Sequence, residues 1–324
     1  MTLFGDTKAP SSNSKSKSRP KSTAPTWDLT IANDTATHPD LTSKAVGSAT
    51  LRAQILLDRA NFSVGEIDGT LGSNSETALA GFRAQHKLPA GTGIDQNVWQ
   101  ALNMDQMPVL VAYQVTAADL KGPFVQVPTN MLAKANLQHL GYANALEGLG
   151  EKFHIAPSTL RRLNPGKTFQ RAGEKLMVPN VREVLKTPAA RVVVSKSGKT
   201  VSVLDEAGAV LAQYPCTSGS EHDPLPIGEW KITGIARNPT YHYNPDLFWD
   251  AKPGQSKETI AAGPRNPVGL VWIDLSKEHY GIHGTPSPAS IGYAESHGCV
   301  RLTNWDALEL AGLVKPGTPV SMVE

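Results

Sequence analysis

The chain has 324 residues, 40% of them hydrophobic and 19% charged, with 28 Gly and 24 Pro, which excludes a coiled coil, a collagen or a fully disordered chain. At roughly 150 residues per domain the length predicts about two domains, with one large or three small ones still open. The 31 Lys and Arg against 29 Asp and Glu leave +2, so the net charge gives no reason to expect a nucleic-acid or membrane-surface partner. Two cysteines are too few for a disulfide framework or a four-cysteine zinc site, leaving a single bridge, inert core thiols or a nucleophile.

In chain order, the first 45 residues read as a disordered basic linker. Lys8, Lys15, Lys17, Arg19 and Lys21 sit among Ser, Pro and Thr, with Asp6 the one acid before residue 27. Such a stretch buries too little to order itself. It also lacks the apolar core and small-residue cleavage site of a secretory signal, so no signal peptide is expected here. The longest apolar runs, 107–113 and 268–275, fall well short of the roughly 18 residues that cross a bilayer, so no transmembrane span is expected.

Residues 46–105 carry helical periodicity. Leu51, Ile55 and Leu56 share one face, Ala78, Leu79 and Phe82 a second, Val98 and Leu102 a third, and Ser75 is the expected N-cap of the middle helix. Three short helices around one small core follow. The stretch DGTLGSNSETALAGFRAQHKLPAGTGIDQNVWQAL resembles the peptidoglycan-binding three-helix module, the alternative being a plain helical spacer.

Residues 109–181 open on a strand-like Val109 to Val115 run, close on another at 175–179, and carry helical patterning between. Leu146 to Phe153, followed by Leu160, Leu163, Asn164, Pro165 and Gly173, is similar to a LysM carbohydrate-binding module, which implies a βααβ fold. The pattern departs from that family in one respect: residues 121–140 intervene between the first strand and the first helix, where the family passes directly. Glycan binding and a purely structural role are both open for this unit.

From residue 190 to 324 the texture becomes β. Val192 and Val194, then Val201 and Val203, alternate with outward positions, and Gly198-Lys199 and Ala207-Gly208 supply turns. Further strands are expected at 229–235 and 269–275, joined by long loops of the kind that carry chemistry. The expected fold is therefore a multidomain α+β protein ending in a mostly-β sandwich.

Chemistry concentrates in this last unit, at Ile282-His283-Gly284-Thr285 and Ser296-His297-Gly298-Cys299-Val300-Arg301. A cysteine attacks as thiolate, so it needs an imidazole, a positive charge or backbone donors to lower its pKa from about 8.5. His283 suits a general base, since an imidazole titrates near pH 6.5. The N–H groups of Gly298 and Cys299 suit a developing oxyanion, and Arg301 suits a thiolate or a substrate carboxylate. Zinc is the competing use of His279, His283, His297, Cys299 and Cys216. Gly281 and Gly284 argue against a helix presenting His279 and His283 as an i,i+4 pair, so no metal and no cofactor are expected. Cys216 is expected to be a buried or unpaired thiol.

His283 followed at a distance by Ser296-His297-Gly298-Cys299 resembles the signature of the YkuD-type L,D-transpeptidases. So do Pro226-Ile227-Gly228-Glu229-Trp230, Gly263 to Gly269, and Gly317-Thr318-Pro319-Val320. The resemblance implies a β-sandwich with Cys299 as nucleophile and His283 as base, oriented by the carbonyl of Gly284 or a neighbour. Ser296, His297, Gly298 and Gly284 would shape the site, with His297 as base the alternative that the sequence leaves open. It further implies acyl transfer from a tetrapeptide stem of peptidoglycan, with release of the terminal D-alanine, to an acceptor amine on another stem or on a lipoprotein. Glycan strands would be partners of the N-terminal units, and the periplasm or cell envelope the place of action. Arg301, Tyr241, Tyr243 and Trp249 are the expected substrate-binding residues, His242 lying with them on the same wall. An L,D-carboxypeptidase, with water in place of the amine, and a non-catalytic wall-binding protein are the alternatives.

Overall fold

The computed structural model describes residues 27–36, 38–249, 251 and 254–324. Four helices form the N-terminal part: α1 (Leu29–Asn33), α2 (Ser48–Arg59), α3 (Ser73–Gln85) and α4 (Gln96–Leu102). The eight apolar residues expected to form the small core are all buried there. Asp95 caps α4 by accepting from the Val98 N–H at 3.0 Å. Ser75 does not cap α3, which starts at Ser73 behind Gly72. The buried amide of Gln54 claims the Ser75 hydroxyl at 3.0 Å, together with Asp68 and the Thr70 carbonyl.

The basic positions from Lys8 to Lys21 lie outside the described residues. The linker expected to run to residue 45 ends earlier, because α1 is packed structure. Ala32 is buried, its carbonyl accepts from Arg52, and the Asn33 side chain accepts from the Val109 and Leu110 N–H groups at 2.9 Å.

Strands β1 (Leu110–Gln114) and β2 (Lys175–Pro179) pair antiparallel, with Tyr113 opposite Leu176. Helices α6 (Ala145–Lys152) and α7 (Pro157–Leu163) lie between them in sequence, and the intervening stretch holds α5 (Met131–Ala135). The Asn144 side chain caps α6 by accepting from Glu147 at 3.0 Å, and Pro157 opens α7, where its missing N–H costs nothing. Leu149, Leu160, Leu163, Leu176 and Val178 join the helices of the first unit in one continuous apolar cluster. Main-chain bonds reinforce that shared core: Ile67 donates to the His154 carbonyl at 2.8 Å, and Ala156 donates to the Ile67 carbonyl at 3.1 Å.

The C-terminal part contains β3 (Arg191–Ser195), β4 (Thr200–Leu204), β5 (Val210–Pro215), β6 (Thr217–Ser218) and β7 (Gly228–Arg237). It continues with β8 (Tyr241–Tyr243), β9 (Glu258–Ile260), β10 (Val271–Leu275), β11 (Gly281–His283), β12 (Val300–Arg301), α8 (Asn304–Leu313) and β13 (Pro319–Val323). Nine strands form one ladder in the order β5-β4-β3-β13-β7-β10-β11-β12-β6, and β8 and β9 form a separate hairpin. The long strand β7 serves both halves. Its first residues pair with β13, and the stretch from Ile232 to Arg237 pairs with β10. Side chains from both halves, among them Val192, Val203, Ile273, Ile282 and Val300, meet in one core closed by Leu310 and Leu313 of α8. The ladder thus folds over itself as a sandwich, the expected mostly-β architecture.

A buried ionic knot fixes this part to the rest. Arg182, in the connector, donates from Nε to Glu309 at 2.8 Å and from Nη2 to Asp306 at 2.6 Å, both on α8, and from Nη1 to Asp58 at the end of α2. Ser63 donates to the other oxygen of Asp306 at 3.0 Å, and His154 stacks on Trp305 with ring centroids 5.2 Å apart. Burial opposes ionisation of Asp58, but Arg182 and His154 hold its carboxyl well below the usual range.

Candidate active site

Parallel pairing of β11 with β12 puts Ile282 opposite Val300 and His283 opposite Arg301. The register carries Cys299, at the entrance of β12, beside Gly281, whose N–H is directed at the sulfur. The thiol also donates to the His279 carbonyl at 3.8 Å. His283 is 4% exposed, and its Nδ1–H donates to the Gly284 carbonyl at 2.7 Å. That bond fixes the tautomer and leaves Nε2 as the acceptor nitrogen. Trp272, directly opposite His283 in β10, stacks on the imidazole at 5.4 Å and 18°.

Cys299 and His283 line one cavity of about 900 Å³, together with His297, Arg301, Tyr241, His242 and Tyr243. Of the expected site residues, Cys299, His283, His297, Arg301, Tyr241 and Tyr243 come together here, while Gly284, Ser296 and Gly298 adjoin them in the chain. Trp249 does not line the cavity: it is 62% exposed at the rim, against His222 at 4.4 Å and His297 at 6.2 Å. Its neighbour Phe248 takes the wall position, edge-on to His297 at 4.9 Å. Chain direction decides between them, since Phe248 joins Tyr243 in a small buried cluster and turns the next residue outward.

Ser296 staples the loop that carries the thiol. Its hydroxyl donates to the Cys299 carbonyl at 2.6 Å and accepts from the Gly219 N–H at 2.7 Å. Gly298 has φ +94°, and a Cβ there would come within 2.7 Å of the Tyr280 ring, so position 298 excludes any side chain. Asn304 supports the loop after His283. Its amide packs against Gly284 and Gly269, its Oδ1 accepts from the Leu270 N–H at 3.0 Å, and its Nδ2 donates to the Pro264 carbonyl at 3.1 Å and to Glu151 of α6 at 2.9 Å.

Burial, then the nearby Arg301 charge, pushes the His283 imidazole down to about 4, against the pull of the Gly284 carbonyl. Burial pushes the Cys299 thiol up, opposed by the Gly281 N–H and Arg301. At neutral pH the cavity therefore holds a resting thiol and a neutral imidazole. Burial also raises Tyr241 to about 12, which keeps its hydroxyl protonated as a donor in the cleft. Cys216 is a free, fully buried thiol pushed up to about 12. Among the described residues, no group of three or more His, Cys, Asp or Glu gathers around a point that suits a metal ion.

Trp272, Tyr280 and Asn304 were not singled out from the sequence. Trp272 had a readable signal, since it stands mid-strand in the predicted 269–275 run, whereas Asn304 and Tyr280 depend on loops whose return path no periodicity reveals.

Residues 189–322 match the family profile described as the YkuD L,D-transpeptidase catalytic domain. A Bacillus licheniformis protein named for L,D-transpeptidase activity, YkuD, is 35% identical over 179 residues, covering 55% of this chain and 92% of the relative. Its Bacillus subtilis namesake is 32% identical over 180 residues, covering 55% and 93%. The Escherichia coli K12 protein YbiS, also named for L,D-transpeptidase activity, is 27% identical over 191 residues, covering 57% and 61%. With nearly the whole length of the two Bacillus proteins matched at 35% and 32% identity, the chain belongs to the YkuD family of L,D-transpeptidases.

Proposed function

We propose that Cys299 is the nucleophile and His283 the general base of an acyl transfer from peptidoglycan tetrapeptide stems. The observation that carries this is the pair itself: a thiol and a tautomer-fixed imidazole lining one cavity, with Nδ1–H held by Gly284 at 2.7 Å. Cys299 Sγ attacks the carbonyl carbon between diaminopimelate and the terminal D-alanine, while His283 Nε2 takes the thiol proton. The N–H groups of Gly298 and Cys299 receive the oxyanion. As the C–N bond breaks, His283 passes the proton to the departing D-alanine amine, leaving a thioester. The acceptor amine then displaces the sulfur, its proton returning through His283 to Cys299, and a new amide joins the two stems. Arg301 holds a stem carboxylate, and Tyr241, Tyr243 and His297 shape the cleft around the peptide. A second stem or a lipoprotein amine serves as acceptor.

The N-terminal units act as wall-binding modules, the first as a peptidoglycan-binding helical unit and the second as a LysM-like one. The matches to the Bacillus relatives, 179 and 180 residues long, exceed the length of the 189–322 segment, which supports a shared unit beyond the catalytic domain. The enzyme works in the cell envelope, where its family's substrate lies.

Incubation with purified disaccharide-tetrapeptide tests the reading by mass. Cross-linked dimer with loss of D-alanine is expected. Tripeptide alone would indicate hydrolysis, and unchanged substrate would overturn both enzymatic assignments.

A further inference from the structure

The insertion at 121–140, which sets the second unit apart from the LysM pattern, folds onto the catalytic cleft. Its helix α5 packs on β9, and Leu140 is locked to the loop after that strand from both sides. Leu140 donates to the Ala262 carbonyl at 3.0 Å, and the Arg265 N–H donates to the Leu140 carbonyl at 3.0 Å. The approach is so close that Gly263, at φ +141°, has no room for a Cβ against the Leu140 carbonyl. Leu140, Tyr243 and Ile260 form a buried cluster, with Val127, Met131 and Leu137 packed around it.

The hairpin that receives this support lies outside the nine-stranded ladder. Its β8 strand supplies Tyr241 and Tyr243 to the cavity, with Tyr241 opposite Ile260 and Tyr243 opposite Glu258 in the pairing. A two-stranded ribbon is marginal alone and takes its position from what it packs against. Here the packing partner is the insertion. Met131 goes further and lines the same cavity as Cys299 and His283.

We propose that the 121–140 insertion is the outer wall of the active-site cleft. Met131 is a specificity-determining residue that packs its thioether on an aliphatic segment of the stem peptide, and Leu140 is a positioning residue acting through β8 and β9. This rests on the stem-peptide reading above. The polarizable, unbranched side chain suits a peptide whose methyl and methylene groups lie along an irregular wall.

The test uses the full-length chain, with kcat and KM measured on disaccharide-tetrapeptide and Kd measured in a Cys299→Ala background. Met131→Ala is expected to raise KM and Kd about fivefold, Met131→Glu by more than about tenfold, and Met131→Leu to restore both to within about twofold. Leu140→Ala should raise KM more than it lowers kcat, with rescue by Leu140→Met. Capture of the Cys299 thiol by iodoacetamide reports on the nucleophile separately from the wall. A folded Met131→Glu protein with KM and Kd within about twofold of the parent would overturn the proposal. A parent that binds the stem without turning it over would sink the transferase reading, while the Kd series still decides the role of Met131. A parent that does not bind the stem would overturn both.

Discussion

Arg301 lies directly opposite His283 in the parallel pairing of β12 with β11, so a fixed positive charge flanks the proposed base. That charge disfavours imidazolium and favours thiolate, lowering His283 and opposing the burial that raises Cys299. Arg301→Met should therefore move both groups upward. With the base needed neutral, kcat/KM in the parent falls as pH drops through about 4. In the variant the loss should begin about one pH unit higher. A pH–rate profile that does not move would remove Arg301 from this role.

The two thiols should behave oppositely. Cys299→Ala is expected to abolish acyl-enzyme formation, lowering turnover by at least about 10³-fold, while sacculus binding persists. Cys216 is fully buried and raised to about 12, so Cys216→Ala should keep stem acylation and cost about 1–2 kcal/mol as a small core cavity. Intact mass after incubation with tetrapeptide separates them, and an acyl adduct on Cys299→Ala would refute the nucleophile assignment.

Glu151 carries a pH dependence of stability. Burial pushes its carboxyl up to about 7, although Asn304 and Tyr142 donate to it. The folded-state value lies above that of an unfolded Glu, near 4.5, so the folded protein binds the extra proton between them. Stability is full below about 4.5 and declines as pH rises through about 7. Glu151→Gln should remove that decline, and at pH 8 it should be more stable than the parent by up to about 3 kcal/mol, with a correspondingly higher Tm. Thermal melts at pH 5 and pH 8 decide it, and an equal pH effect in both proteins would count against the assignment.

Arg182→Ala leaves the buried carboxylates of Asp58, Asp306 and Glu309 without their common partner. A loss of about 3–5 kcal/mol in denaturant melts is expected, since an uncompensated buried charge costs more than the ion pair contributed. A change under about 1 kcal/mol would mean that the carboxylates find water or protons at little cost.

The residues proposed for catalysis stand out in the sequence because short motifs carry their chemistry within a few positions: His283 with Gly284, and Ser296 through Arg301. Alternation also exposed β3 and β4, where Val192 and Val194, and Val201 and Val203, are buried two apart, while β7 and β10 showed as strand-like runs at 229–235 and 269–275. Strands β8, β9, β11 and β12 are two or three residues long, too short for any periodicity, and α8 is buried on most of its surface, which erases an amphipathic signal. The packing between units was not legible. Sequence similarity divides the chain at 105 and 190, yet Leu57, Leu149 and Val178 share one core, and Arg182 joins α2 to α8 across both divisions. The rim position of Trp249 was not legible, because composition marks a loop as aromatic without saying which ring faces inward.

The β5 strand terminates the nine-stranded ladder, and the segment after α2 covers it. Ser63 donates to the Gln213 carbonyl and Gln213 donates to the Asn61 carbonyl, both at 2.9 Å, while Gln85 of α3 reaches the Val210 carbonyl at 3.2 Å. The helical unit therefore acts as a hem on an otherwise raw sheet border. Cutting the chain at residue 190 would strip that hem and leave strand amides facing solvent, a template for another copy to add its own strand. The excised enzyme domain should consequently self-associate more than the whole chain, and the helical unit shields this border by the same bonds that fix it to β5.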